Sequence, residues 1–113
     1  MSTVYVVQES MRKVNGEWRR IHDLTPALVY GKIKIMVSGD QYLPLSIQPI
    51  IWEFKKKLKN FSDEDFLLLV GDPVLIGIAT AIASDINRGI VNFLKWDRET
   101  SAYVNIDADL HQK

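Results

Sequence analysis

Apolar residues change their spacing several times along this chain, and each change marks an element. Thr3 to Val7 is β-branched and aromatic and predicts a strand beginning almost at the first residue. From Glu9 the chain turns polar, and Asn15-Gly16 is the residue pair of a type I′ hairpin turn. Its arms, Met11-Arg12-Lys13 and Arg19-Arg20-Ile21, are basic and predict an exposed ribbon or loop. Thr25-Pro26 ahead of Ala27 to Tyr30 and Gly31 predicts one short helical turn: a cap, a proline at the first position, a glycine at the stop.

Lys32 to Val37 alternates, which predicts a strand with Ile33, Ile35 and Val37 on one face. Ser46 is placed to cap a helix with Pro49 in its first turn. Ile47, Ile50, Ile51, Phe54 and Leu58 then fall at helical spacing, with Lys55, Lys56, Lys57 and Lys59 largely on other sides. Phe66 to Val70 is apolar without a break, the pattern of a strand covered on both faces, usual for a central parallel strand. Asp72 and Pro73 suit the N-cap and first position of a helix reaching about Asn87. That helix is apolar on most of its circumference, so extensive burial is expected, with Gly77, Ala79, Ala81 and Ala83 allowing close approach to a sheet. Asn87-Arg88-Gly89 stops it. Ile90 to Trp96 predicts another strand, 97–101 turns the chain, and Ala102 to Ile106 returns antiparallel.

The order strand, ribbon, strand, helix, strand, helix, strand, strand predicts a single α/β domain over residues 1–113. It is a small layered domain with a β-α-β-α-β parallel core, antiparallel edge strands and a C-terminal hairpin. Two crossovers share the strand 66–70, and such crossovers are almost always right-handed.

Composition narrows what this scaffold does. The 113 residues contain no cysteine, which excludes structural disulfides, thiolate zinc sites and cysteine nucleophiles. Fourteen basic and fourteen acidic side chains cancel, and a net charge of zero lacks the excess that drives general nucleic-acid binding. MSTVYVVQES does not read as a secretory signal, and the apolar stretch Val74 to Ala83 is too short to span a bilayer. A cytoplasmic protein with no membrane partner is expected.

Candidate chemistry lies in two places. Open α/β sheets bind ligands beyond the carboxyl ends of their strands. Three such ends carry aspartates: Asp40, Asp72 and Asp97. On one rim they would recruit magnesium, with Arg98 and the N–H groups of the second helix facing a phosphate. The plainer reading makes Asp72 an N-cap and Asp40 and Asp97 turn formers. Gly71-Asp72-Pro73 lacks the glycines of a dinucleotide fingerprint and the Gly-Lys-Ser/Thr of a phosphate loop, so it reads as a hinge. His22 and His111 are the only histidines, and no serine sits in a nucleophile elbow. The second place is the basic hairpin. Arg12, Lys13, Arg19 and Arg20 surround Trp18, a combination suited to probing nucleic acid or a protein groove, or to guarding a sheet edge. The lysines of the first helix read as a solvated face, with acidic residues at 62–65 as counter-charge.

The run Leu68 to Pro73, the Ala/Ile-rich helix, Asn87-Arg88-Gly89, Leu94 to Arg98, Tyr103 and the acidic closing strand resemble small accessory proteins of tailed bacteriophages. Val4 to Glu9 fits the same resemblance. It implies a protein working in the host cytoplasm and implies no activity. The expected function is a non-catalytic phage-type accessory binding protein, without cofactor, that contacts a host protein or nucleic acid. Trp18, Tyr42, Trp52, Trp96 and Tyr103 exceed what one small core readily buries, so a homodimer or other homo-oligomer is expected. The alternative is a magnesium-dependent nucleotide- or phosphate-binding enzyme using the three aspartates.

Overall fold

The computed structural model describes residues 2–21, 23–38 and 46–112. Strand β1 (Thr3–Gln8) is followed by a hairpin of β2 (Met11–Val14) and β3 (Glu17–Arg20). A 3-10 turn (Thr25–Val29), β4 (Lys32–Val37), helix α1 (Gln48–Lys57), β5 (Phe66–Leu68), helix α2 (Pro73–Ile86), β6 (Ile90–Asp97) and β7 (Ala102–Asp109) complete the chain. Five strands form one sheet in the order β4-β1-β5-β6-β7, and β2-β3 is a separate two-stranded ribbon. β4, β1, β5 and β6 are mutually parallel, and β7 returns antiparallel to β6. This is the expected α/β layout, with β1 inserted between β4 and β5.

That insertion explains what covers each face. The chain moves from β4 to β5 and from β5 to β6 in one direction across the sheet, but from β1 to β4 in the other. Right-handed crossovers then require α1 and α2 on one face and the β1–β4 connection on the opposite one. The packing agrees. Phe54 and Leu58 of α1 and Leu75, Ala79, Ile82 and Ala83 of α2 share a cluster with Tyr5, Val7, Leu67 and Val91. Leu24 and Ala27 of the 3-10 segment cover Val4, Val6, Leu68, Leu94 and Tyr103 on the other side. Tyr103 fixes that segment from both ends of its residue. Its hydroxyl donates to the Asp23 carbonyl at 3.0 Å, and its carbonyl accepts from the Tyr30 hydroxyl at 3.0 Å.

Several expectations are corrected. α2 buries one stripe rather than most of its circumference, because one helix lying on one sheet face can meet it along a single line. Ala79 and Ala83 are on that stripe, while Ala81 is exposed and a Cβ on Gly77 would meet nothing within 4 Å. Ser46 does not cap α1; Ile47 occupies the N-cap without a side-chain bond. Val37 packs with Met36 on the helix side instead of with Ile33 and Ile35, where the ladder of β1 with β4 is interrupted between the pairs Val6–Ile35 and Gln8–Val37. Of the acidic residues at 62–65 expected as counter-charge for the lysines, Asp65 turns to the backbone. Asp65 is buried and accepts the backbone N–H groups of Thr3 and Ser62, both at 2.9 Å. Lys57 instead reaches the Met36 carbonyl and the Glu53 carboxylate.

Candidate binding interface

The hairpin forms for local reasons. Asn15 and Gly16 both adopt left-handed conformations, at φ +52° and +82°, the pair of values a type I′ turn demands. Cross-strand partners are Val14 with Glu17, Lys13 with Trp18, Arg12 with Arg19, and Met11 with Arg20. Alternation therefore puts Met11, Lys13, Trp18 and Arg20 on one face and Arg12, Val14, Glu17 and Arg19 on the other. No residue of either strand is buried, and Trp18 is 52 % exposed. The ribbon is not part of a protected sheet edge; it stands off the carboxyl end of β1. Two bonds hold its base: Ile21 N–H to the Ser10 carbonyl at 2.7 Å, and the Arg20 guanidinium to the Glu9 carboxylate at 2.6 Å. Among the described residues, Arg19 pairs with Glu17 alone, exposed and at 3.4 Å.

The strand rim and the hairpin, read from sequence as separate candidates, meet at this base. The switch of direction between β1 and β5 is where an open α/β sheet leaves its crevice. A hollow of about 290 Å³ lies there, lined by Gln8, Glu9, Ser10, Met11, Ile21, Gly71 and Asp72. Gly71, at φ +118°, cannot be another residue, because a Cβ would sit 2.4 Å from that of Gln8. The Gln8 side-chain oxygen accepts from the Asp72 N–H at 2.8 Å. Sequence reasoning missed Gln8 and Glu9, because the neighbours of β1 are set by pairing with distant segments and leave no local signal.

Asp72 and Asp97 are spent locally. Asp72 caps α2, accepting from Val74 N–H at 2.8 Å. Asp97 accepts from the Thr100 hydroxyl at 2.7 Å and from Glu99 N–H, and these bonds hold its carboxyl below the usual aspartate range. Arg98 is exposed in the same turn. Asp40, Tyr42 and His22 lie outside the described residues. Among the described residues, no three His, Asp or Glu side chains gather as a metal site would require, and no helix is long and apolar enough to cross a membrane. A larger hollow, about 480 Å³, lies between α1 and α2, lined by Lys55, Lys59, Ala81, Ile82, Asp85 and Ile86. Nothing in the sequence pattern pointed to it, since its walls come from two helices whose mutual placement is set by the sheet.

No curated protein and no solved structure matches this chain. Residues 2–110 match the model of a family described as Phage Pam3 gp32-like protein, which bears out the phage resemblance carried by the hinge, the second helix and the closing strands. The chain belongs to the Phage Pam3 gp32-like protein family.

Proposed function

We propose that this phage protein is a non-catalytic accessory binding module of the host cytoplasm whose contact surface is the β2–β3 ribbon. The observation that carries the reading is Trp18, half exposed and paired with Lys13 on a ribbon that gives the core no buried side chain. Lys13 and Arg20 share the face of the indole and Arg12 and Arg19 lie on the opposite one, so both faces of the ribbon carry cations. An aromatic plane among cations suits an anionic partner, either an acidic patch on a host protein or a nucleic-acid strand. Replacing Trp18, Arg19 and Arg20 together by Ala or Ser is expected to leave the five-stranded sheet and its helices intact and weaken partner binding by about 2 kcal/mol or more. Pull-downs from infected lysate with and without nuclease identify the partner class, and a nucleic-acid partner is expected to lose affinity steeply with salt. A triple mutant binding every captured partner as tightly as wild type would end the reading.

The second reading is a magnesium-dependent nucleotide or phosphate site at the rim, using Asp40, Asp72, Asp97 and Arg98. The crevice at the direction switch favours it; the local bonds already made by Asp72 and Asp97 weigh against it. Thermal melts of wild type and Asp72→Asn with and without magnesium separate the two. A magnesium shift in wild type alone supports the rim site.

A further inference from the structure

We infer that the protein forms a two-fold dimer by pairing β7 with β7 of a second copy, in a register centred on Ile106. This is independent of the hairpin reading. The backbone decides which groups are free. Leu110 N–H donates to the Gly89 carbonyl, so in the register of β6 with β7 the even-numbered residues of β7 bond inward to β6. The N–H and C=O groups of Tyr103, Asn105, Asp107 and Asp109 therefore point outward, the Asp109 carbonyl already accepting from Gln112 N–H at 3.4 Å. The Tyr103 carbonyl confirms this parity by accepting from Tyr30. Beyond it, the outward groups of Asn105 and Asp107 lie on exposed residues of the terminal strand of the sheet.

The other edge is less available. On β4, Lys57 occupies the Met36 carbonyl, and exposed Lys32 and Lys34 place charge along the strand. β7 carries no lysine, and Ile106 is 47 % exposed there. A single apolar residue of this kind needs no partner by itself; the self-complementary register is what singles out a second copy. With the axis at Ile106, Asn105 of each copy falls opposite Asp107 of the other. Both residues bond outward, so each pair exchanges two backbone hydrogen bonds, and the Asn amide can donate to the Asp carboxylate across the strands. On the helix side, Ile106 meets Ile106 and Val104 meets Ala108. No two carboxylates are directly opposed, and the interface closes on itself, as an isologous contact must.

Sedimentation of the full chain over a range of concentrations tests the idea. A reversible species of twice the 12.9 kDa chain mass is expected. Asn105→Asp sets carboxylates opposite one another in both symmetric pairs and should raise the dimer Kd roughly tenfold. Combining it with Asp107→Asn restores the complement in reverse and should recover wild-type affinity at unchanged net charge. Asn105→Pro removes an outward N–H without touching the β6 ladder, so it should leave a folded monomer by circular dichroism. A single monomeric species at every concentration overturns the inference, as does a dimer whose Kd is unmoved by Asn105→Asp.

Discussion

Two antiparallel hairpins in this molecule have opposite fates. β2–β3 and β6–β7 are both closed by short turns containing left-handed residues, Asn15 and Gly16 in one and Ser101 in the other. β6 buries Val91 against the helices and Leu94 against the 3-10 segment, so both its faces are covered. β2 and β3 bury nothing and, among the described residues, pair with no third strand. An isolated two-stranded ribbon is at best marginally stable in water, so turn chemistry and a charged anchor must hold the first hairpin, while packing holds the second. A hairpin signal in sequence therefore says that two strands meet and leaves open whether they belong to the core.

The largest expected effect breaks the comparison most directly. Leu94→Ala in β6 should cost about 2–5 kcal/mol, as for other fully buried leucines. Trp18→Ala in β3 should stay within about 0.5 kcal/mol of wild type. Urea midpoints measure both, and a Trp18→Ala loss matching that of Leu94→Ala would make the ribbon part of the core. Asp72 should rank next, because capping lies between packing and surface charge: Asp72→Ala is expected to cost about 1 kcal/mol and Asp72→Asn very little. An equal loss in both would point to the carboxylate charge rather than the cap.

The smallest effect concerns the turns. Asp97 ends β6 with its carboxyl held below the ordinary value of 3.8 by the Thr100 hydroxyl and the Glu99 N–H. Its folded state favours the ionised form, so its contribution is present above the unfolded pKa and lost as pH falls through the lower folded one. Asp97→Asn should flatten the acid limb of the stability profile slightly, whereas no ionisable side chain sits in the Asn15-Gly16 turn. An acid limb unchanged in Asp97→Asn would mean the bonds to Thr100 and Glu99 do not persist in solution.

Local signals were legible in the sequence wherever the cause was local. Asn15-Gly16 dictates its turn by its φ values, Asp72-Pro73 starts α2 as a cap and a proline must, and the unbroken run from Phe66 marks the strand covered on both sides. What depended on pairing between distant segments was hidden. Nothing near Thr3 says that β1 inserts between β4 and β5, so Gln8 and Glu9 escaped notice as rim residues. Nothing in the Ala/Ile-rich helix says which stripe meets the sheet. Ile78, apolar like Leu75, is only partly buried, while Leu75 is fully so. At the candidate site, composition identified Trp18 and its cations but could not place them beside the crevice of Gln8, Gly71 and Asp72.

An open sheet offers two ends to its neighbours, and a row of copies joined β4 to β7 would be a filament. The facial pattern of the two edges penalises that at every junction. Lys34 lies over the Tyr5 ring, so alternation puts Lys32 and Lys34 on the helix side of β4, with Ile33 and Ile35 on the other. β7 has the reverse arrangement: Val104, Ile106 and Ala108 on the helix side, Asn105, Asp107 and Asp109 on the other. Laying one edge on the other in a continued sheet would set ammonium groups against Ile106 and Val104 and carboxylates against Ile33 and Ile35. Opposite charges stand on the two edges, yet they face opposite sides and cannot meet. Growth without end is thereby discouraged at both edges of the sheet.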